Sequence, residues 1–146
     1  MSNDSTIQLW NEAWSAGLWA ASWAKAVEGL SAQQAAWKPS PRRHSIWQIV
    51  GHMIFWREEA LRRLAGQART PEDQVAARNF PDPTEVSESA WSALRGSLEE
   101  THKRIAAAYA ARPVGEPKLA HILAHDCYHM GQVAYLRALQ GLPPLD

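Results

Sequence analysis

The stretch SIWQIVGHMIFWREEALRRLA, at residues 45–65, decides the fold class because its apolar residues recur every three or four positions. This spacing is the period of an amphipathic α-helix, with Ile46, Ile49 and Met53 on the apolar side. Gly66, directly after the stretch, is a typical helix stop. The alternating β-branched pattern that a strand needs occurs nowhere in the chain. The sequence therefore predicts an all-α protein.

The same helical period predicts three more helices on either side of this stretch. The four predicted helices span about 5–30, 45–65, 84–110 and 118–140. Pro39 and Pro41 interrupt the chain at 31–45, where we expect a turn with some helix in it. The longest connection, at 66–84, can carry the chain along the whole bundle. The sequence thus predicts a four-helix bundle with up-down-down-up topology, in which the second and fourth helices are antiparallel.

The composition limits the classes of protein to which the chain can belong. Its 146 residues suit a single domain, 1–146, and Lys plus Arg balance Asp plus Glu at 15 each. A neutral chain has no field that would attract nucleic acid or an anionic membrane. The N-terminal segment does not resemble a secretory leader, and no apolar run reaches membrane-spanning length. We therefore expect a cytoplasmic protein, with the lone Cys127 as a buried, inert thiol.

Eight tryptophans are the unusual compositional feature of the chain. Trp10 and Trp14 lie on one face of the predicted first helix, and Trp19 and Trp23 lie on a neighbouring face. Tryptophan rings bury large apolar areas. We therefore expect one of the two faces to pack against a second copy of the chain, which would make the protein a homodimer.

Three histidines recur at every fourth residue of the predicted fourth helix, namely His121, His125 and His129. Steps of four residues drift by only about 40° around a helix, so the three rings form one stripe. Rings one turn apart can share a metal ion, whereas His121 and His129 are separated by about 12 Å of helix rise. A third ligand must therefore come from another helix.

His52 is the best candidate for the third ligand because it lies deep inside a strongly apolar helix. It lies about 11 Å from its end of an antiparallel bundle, whereas His129, His125 and His121 lie about 16, 22 and 28 Å from the same end. The predicted metal ligands are thus His52, His125 and His129, and His121 is predicted to line the pocket or to support a ligand. Histidines with this spacing also occur in packing or surface roles, and that alternative stays open here.

The other polar residues near the stripe receive simpler interpretations. His44 and His102 are flanked by polar residues and are predicted to be solvated, outside the site. Gln132 lies three residues after His129, which allows a hydrogen bond to that ring. An exposed Gln132 without this contact is an equal alternative.

Three neutral imidazoles would leave coordination positions open for water or a substrate atom, which is typical of catalytic rather than structural metal sites. An ion held in this way lowers the pKa of a bound water, activates a thiolate or polarises a carbonyl. The ligand set fits Zn or Ni first, with Fe or Co as further options. A small-molecule substrate follows from this interpretation.

Two segments and a linker carry a family resemblance: SIWQIVGHMIFW at 45–56, LAHILAHDCYHMGQV at 119–133 and WKPSP at 37–41. They resemble the DinB-like (YfiT-type) family of damage-inducible helical-bundle metalloenzymes. The resemblance implies an up-down-down-up bundle, often dimeric, whose metal ligands match His52, His125 and His129. Relatives in this family include S-transferases that use low-molecular-weight thiols, and metal-dependent hydrolases.

The sequence therefore leads to two functional hypotheses. The first is a metal-dependent enzyme, either a thiol-dependent S-transferase or a hydrolase, that acts on a small electrophile. The alternative is a non-catalytic small-molecule-binding or stress-response module with a structural metal. Nucleic acid is disfavoured as a partner by the neutral charge and by the lack of a basic stripe.

Overall fold

The computed structural model describes residues 3–112 and 115–145, and within these ranges the chain contains helices and no strand. The helices of this described part are α1 (Asn3–Ser15), α2 (Trp23–Val27), α3 (Ala32–Ala36), α4 (Ile46–Leu64), α5 (Glu72–Arg78), α6 (Glu88–Ala111) and α7 (Leu119–Leu139). The prediction of an all-α fold is confirmed. None of these helices combines the length and apolarity required to cross a membrane.

The single helix predicted over about 5–30 is broken in the structure, because the chain turns sharply after α1. Gly17 and Trp19 in this turn have φ angles of 76° and 62°. A Cβ atom on Gly17 would lie 1.9 Å from the carbonyl oxygen of Ala20, so the turn requires glycine. Ser22 then supplies a new N-cap for α2. The apolar period continues across the break, which is why the period alone predicted one long helix.

The start of α4 is determined by a capping box and by contact with the connection that follows α5. The Ser45 side chain accepts the Gln48 backbone N–H, and the Gln48 side chain accepts the Ser45 N–H. The Gln48 amide also donates to the Phe80 carbonyl oxygen at 3.3 Å. Gly51 permits close contact here, since a Cβ atom on it would lie 2.9 Å from Cγ of Pro81. The long connection is therefore held against the first turns of α4.

The four longest helices surround a common core. Helix α4 packs against α6 and α7, and α1 packs against the same two helices. Trp47 contacts Trp91 near the starts of α4 and α6, and Arg112 donates to the Leu64 carbonyl near their ends, so these two helices run in the same direction. The largest fully buried apolar side chains are Trp10, Ile46, Val50, Met53, Trp91, Leu98, Ile105, Tyr109 and Val133.

His102 is buried between helices, and the prediction that it is solvated is wrong. Its ring stacks on Trp10 at a centroid distance of 4.8 Å and on Trp14 at 4.9 Å, and only 4% of the residue is exposed. Burial lowers the pKa of His102 to about 3. Polar sequence neighbours suggested a solvated position, but the helical period places His102 on the same face of α6 as Leu98 and Ile105. These contacts place two N-terminal tryptophans against α6.

Cys127 is exposed on α7, so the prediction of a buried thiol is also wrong. Partial desolvation, followed by the negative charge of Asp126, raises the pKa of the thiol above its ordinary value. The thiolate is the reactive form of cysteine, so a raised pKa makes Cys127 a poor nucleophile at neutral pH.

Candidate metal centre

Three histidines from two helices meet in the structure. His52 lies in the second turn of α4, and His125 and His129 lie one turn apart on α7. One ring nitrogen of each lies within 4.8 Å of the other two, and this group could hold a metal ion. The Nε2 atoms of His52 and His125 are 3.1 Å apart. The three predicted ligands are therefore brought together, whereas His121 lies outside the group.

The ring of His52 is oriented by Asn79, in the connection between α5 and α6. Its Nδ1 lies 2.9 Å from the backbone carbonyl oxygen of Asn79 and 2.9 Å from the side-chain oxygen. The indole N–H of Trp56 donates to the same side-chain oxygen at 2.8 Å, which fixes the orientation of the amide. Both oxygens accept, so Nδ1 of His52 carries the proton and Nε2 keeps a free lone pair.

The ring of His125 is oriented by its neighbour Asp126, which is fully buried. Nδ1 of His125 donates to Oδ1 of Asp126 at 2.9 Å. The other carboxylate oxygen accepts from Nε of Arg57 on α4 at 2.7 Å, and both side chains of this ion pair are 0% exposed. Arg57 also donates to the carbonyl oxygen of Leu98 on α6 at 2.8 Å. A buried ion pair between α4 and α7 thus holds the carboxylate that supports His125.

The ring of His129 is oriented by Gln132, one turn further along α7. Nδ1 of His129 lies 2.7 Å from Oε1 of Gln132, so the predicted hydrogen bond is present. The amide oxygen accepts the Nδ1 proton, as the oxygens of Asn79 and Asp126 do for the other two rings. Each of the three rings therefore has an oxygen acceptor at Nδ1, the arrangement that leaves Nε2 as the atom available to a metal.

Electrostatics favours a cation between these rings. Burial is the largest cause that lowers the pKa of His52, to about 4, and burial also lowers the pKa of His129. His52 and His129 are therefore uncharged near neutral pH. The Nε2 atoms of His52 and His125 face each other 3.1 Å apart, close enough to share one proton or one metal ion. The donor set thus fits a divalent metal ion.

A stack of three rings supports the metal centre from the side of the long connection. Phe80 packs face to face on His52 at a centroid distance of 4.0 Å and an interplanar angle of 7°. His44 packs on the other face of Phe80 at 3.8 Å and 3°. His44 is exposed, as predicted, but it also lines the cleft beside the site. The plane of His52 is therefore set by packing as well as by its hydrogen bond.

The histidine group opens into a cleft of about 670 Å³ between α4 and α7. This volume suits a small molecule. Trp56, Ala60 and Ile122 supply apolar walls, and Arg63 and His121 also line the cleft. His121 therefore lies where the sequence predicts it, at the pocket rather than among the three clustered rings.

Asn79, Phe80 and the Arg57–Asp126 pair were not predicted from the sequence. Asn79 and Phe80 reach the site through a long connection that offers no periodic signal. Asp126 does carry a signal, because it is the one acidic residue in the otherwise uncharged segment 119–136. Charged residues are rarely buried without a partner, so an acid in such a segment indicates a buried cation nearby.

Residues 19–133, well over half of the chain, match the family described as the DinB superfamily. No curated protein and no solved structure gives a significant match.

Proposed function

The chain belongs to the DinB superfamily, and on this premise we propose that it is a divalent-metal-dependent enzyme that acts on a small electrophile. In this proposal His52, His125 and His129 hold the ion, with Zn or Ni as the first candidates and Fe or Co as further options. The reaction is a thiol-dependent S-transfer or a hydrolysis. The small-molecule partner is the electrophile, joined in the first case by a low-molecular-weight thiol.

The observation that carries this proposal is the convergence of one ring nitrogen from each of three histidines at the wall of an open cleft. Within the described residues the group contains three histidines and no fourth Cys, Asp or Glu ligand. Structural zinc sites are closed by four protein ligands, whereas catalytic sites keep a position for water or substrate. A bound divalent ion would supply a Lewis acid that activates a thiol or water nucleophile or polarises a carbonyl.

The side chains around the site have separate tasks in this proposal. Asn79, Asp126 and Gln132 keep the Nδ1 protons in place, so that the rings need no reorientation when an ion binds. The apolar walls formed by Trp56 and Ile122 exclude water from one side of the substrate.

The arrangement of the helices and the assembly belong to the same proposal. We propose the up-down-down-up order for the four longest helices, which the parallel contacts of α4 with α6 support. We also propose a cytoplasmic homodimer, with no nucleic-acid partner. The neutral net charge supports the last point.

Metal analysis combined with activity assays tests the proposal. We expect purified protein to carry one divalent ion per chain and to turn over within a panel of thiol–electrophile pairs and esters. His52→Ala, His125→Ala and His129→Ala should lose the ion and the activity, whereas His121→Ala, in the cleft but outside the ligand group, should keep the ion. Metal-free wild-type protein, or full activity in the three ligand variants, would contradict the proposal.

The non-catalytic alternative makes a different prediction in the same experiment. A structural metal would raise the thermal stability of the protein strongly, and no member of the panel would be turned over. Stabilisation by metal without turnover would therefore favour the binding or stress-response module.

A further inference from the structure

One face of α4 forms a wall of the cleft from the metal centre to the far end of the helix. The residues on this wall include His52, Trp56, Glu59 and Arg63. Steps of four, seven and eleven residues from His52 all return to within about 40° of the same direction, so these side chains form one stripe. Arg63 lies roughly 16 Å further along the helix axis than His52. The stripe therefore ends in a cation at the end of the cleft remote from His52, His125 and His129.

Glu59 lies four residues before Arg63, a spacing at which an acid and a base on a helix often form an ion pair. Both carboxylate oxygens of Glu59, however, accept hydrogen bonds from another residue. Its Oε1 accepts the backbone N–H of Thr70 at 2.9 Å, and its Oε2 accepts the Thr70 hydroxyl at 2.6 Å. The ion pair of Glu59 is made with Arg62, at 3.4 Å, and not with Arg63. This acid therefore fixes the chain after α4, and its interaction with Arg63 is limited to the attraction between their charges.

Arg63 is half-buried, and within the described part of the chain its side chain makes no hydrogen bond or ion pair. It lines both the cleft at the histidines and an adjoining cavity of about 660 Å³. We propose that Arg63 binds a carboxylate group of the substrate; this inference rests on the proposed metal-dependent function of the same cleft. The planar guanidinium matches a carboxylate with two parallel hydrogen bonds. The nearby negative charge of Glu59 opposes a dianionic group such as phosphate.

The part of the cleft between the three clustered histidines and Arg63 indicates the chemistry of the middle of the substrate. Trp56, Ala60 and Ile122 make this part apolar. Long side chains on a helix lean toward its N-terminus, so we expect Arg63 to reach back toward His52 and to hold the anion on the order of 10 Å from the ion. The substrate class is an elongated, mainly apolar small molecule with its reactive group at one end and a carboxylate at the other.

Two matched hydroxamates test this inference on the zinc-loaded protein. Hydroxamates bind divalent metals, and the two probes share an alkyl chain but end in a carboxylate or in a primary amide. By calorimetry we expect the carboxylate probe to bind wild-type protein about tenfold more tightly, or about 1.4 kcal/mol. Arg63→Gln should abolish this preference, and Arg63→Lys should keep part of it. Lys103→Gln, which removes an exposed cation on α6, should leave it unchanged.

The possible outcomes separate the two proposals. Equal binding of both probes to wild-type protein, or a preference that survives in Arg63→Gln, would overturn the role of Arg63 and leave the metal site standing. Failure of both probes to bind would overturn the metal site and the role of Arg63 together. A phosphonate probe that binds more tightly than the carboxylate would overturn the assigned ligand class. If Arg63→Gln does not fold, a full tenfold preference in Arg63→Lys would contradict the paired hydrogen bonds.

Discussion

The three histidine rings of the candidate metal centre are held by different sets of oxygen acceptors. Asn79 offers a backbone and an amide oxygen, Asp126 a carboxylate, and Gln132 an amide oxygen. A carboxylate that accepts the Nδ1 proton makes an imidazole the more basic ligand. The ring of His125, whose carboxylate is fully buried, is therefore expected to donate most strongly to the ion.

Gln132 provides the cleanest test of these supporting contacts because it is only half-buried. We expect Gln132→Ala to weaken metal binding about tenfold or more, since Nδ1 of His129 loses its acceptor, while the free energy of unfolding without metal stays unchanged. Gln132→Glu keeps an acceptor and should retain the affinity. Competition with a chromogenic chelator measures the affinities, and equal affinity of the alanine variant and the wild-type protein would contradict the prediction.

At the level of elements, the buried pair Arg57–Asp126 links α4 to α7 at the metal centre. Asp126→Asn leaves Arg57 buried without a counter-charge, and we expect a loss of about 3–5 kcal/mol in the free energy of unfolding. The double variant Arg57→Met with Asp126→Asn should recover part of this stability, yet still bind metal weakly because His125 lacks the carboxylate. Urea unfolding and chelator competition measure the two effects. A double variant no more stable than Asp126→Asn would argue against this account.

The contact between α1 and α6 makes stability depend on pH through His102. The unfolded chain binds a proton on His102 below its ordinary pKa of 6.5, whereas the folded chain does so only near pH 3. Stability is therefore lost as pH falls through this window, by at most about 1.4 kcal/mol per pH unit. His102→Phe keeps an aromatic ring between the tryptophans and removes the titrating group. In urea unfolding, the free energy of unfolding of this variant should therefore fall less steeply with decreasing pH than that of the wild-type protein. Parallel pH curves for the two metal-free proteins would contradict this.

Across the whole molecule, the sequence predicted those features that depend on residues close together in the chain. Helical period and caps indicated the long helices, and the four-residue spacing of the histidines indicated the candidate ligands. The residues that contact the histidines and Asp126 only in the folded chain were not predicted. Asn79 and Phe80 come from a connection without helical periodicity, and Arg57 is one of several charged residues in its segment of the sequence. The break at Gly17 was missed because the apolar period runs through it.

A substitution at Trp19 tests the proposed homodimer. The Trp19 side chain is completely exposed in the single chain, next to an apolar hollow lined by Leu18, Trp23 and Met130. We expect this ring to cover the hollow of a second copy, because burying a tryptophan ring removes a large apolar area from water. Light scattering at micromolar concentration should give a dimer mass for the wild-type protein and a shift toward monomer for Trp19→Ser. Trp37→Ser, which changes another exposed tryptophan, is the control and should remain dimeric; a monomeric wild-type protein would rule the assembly out.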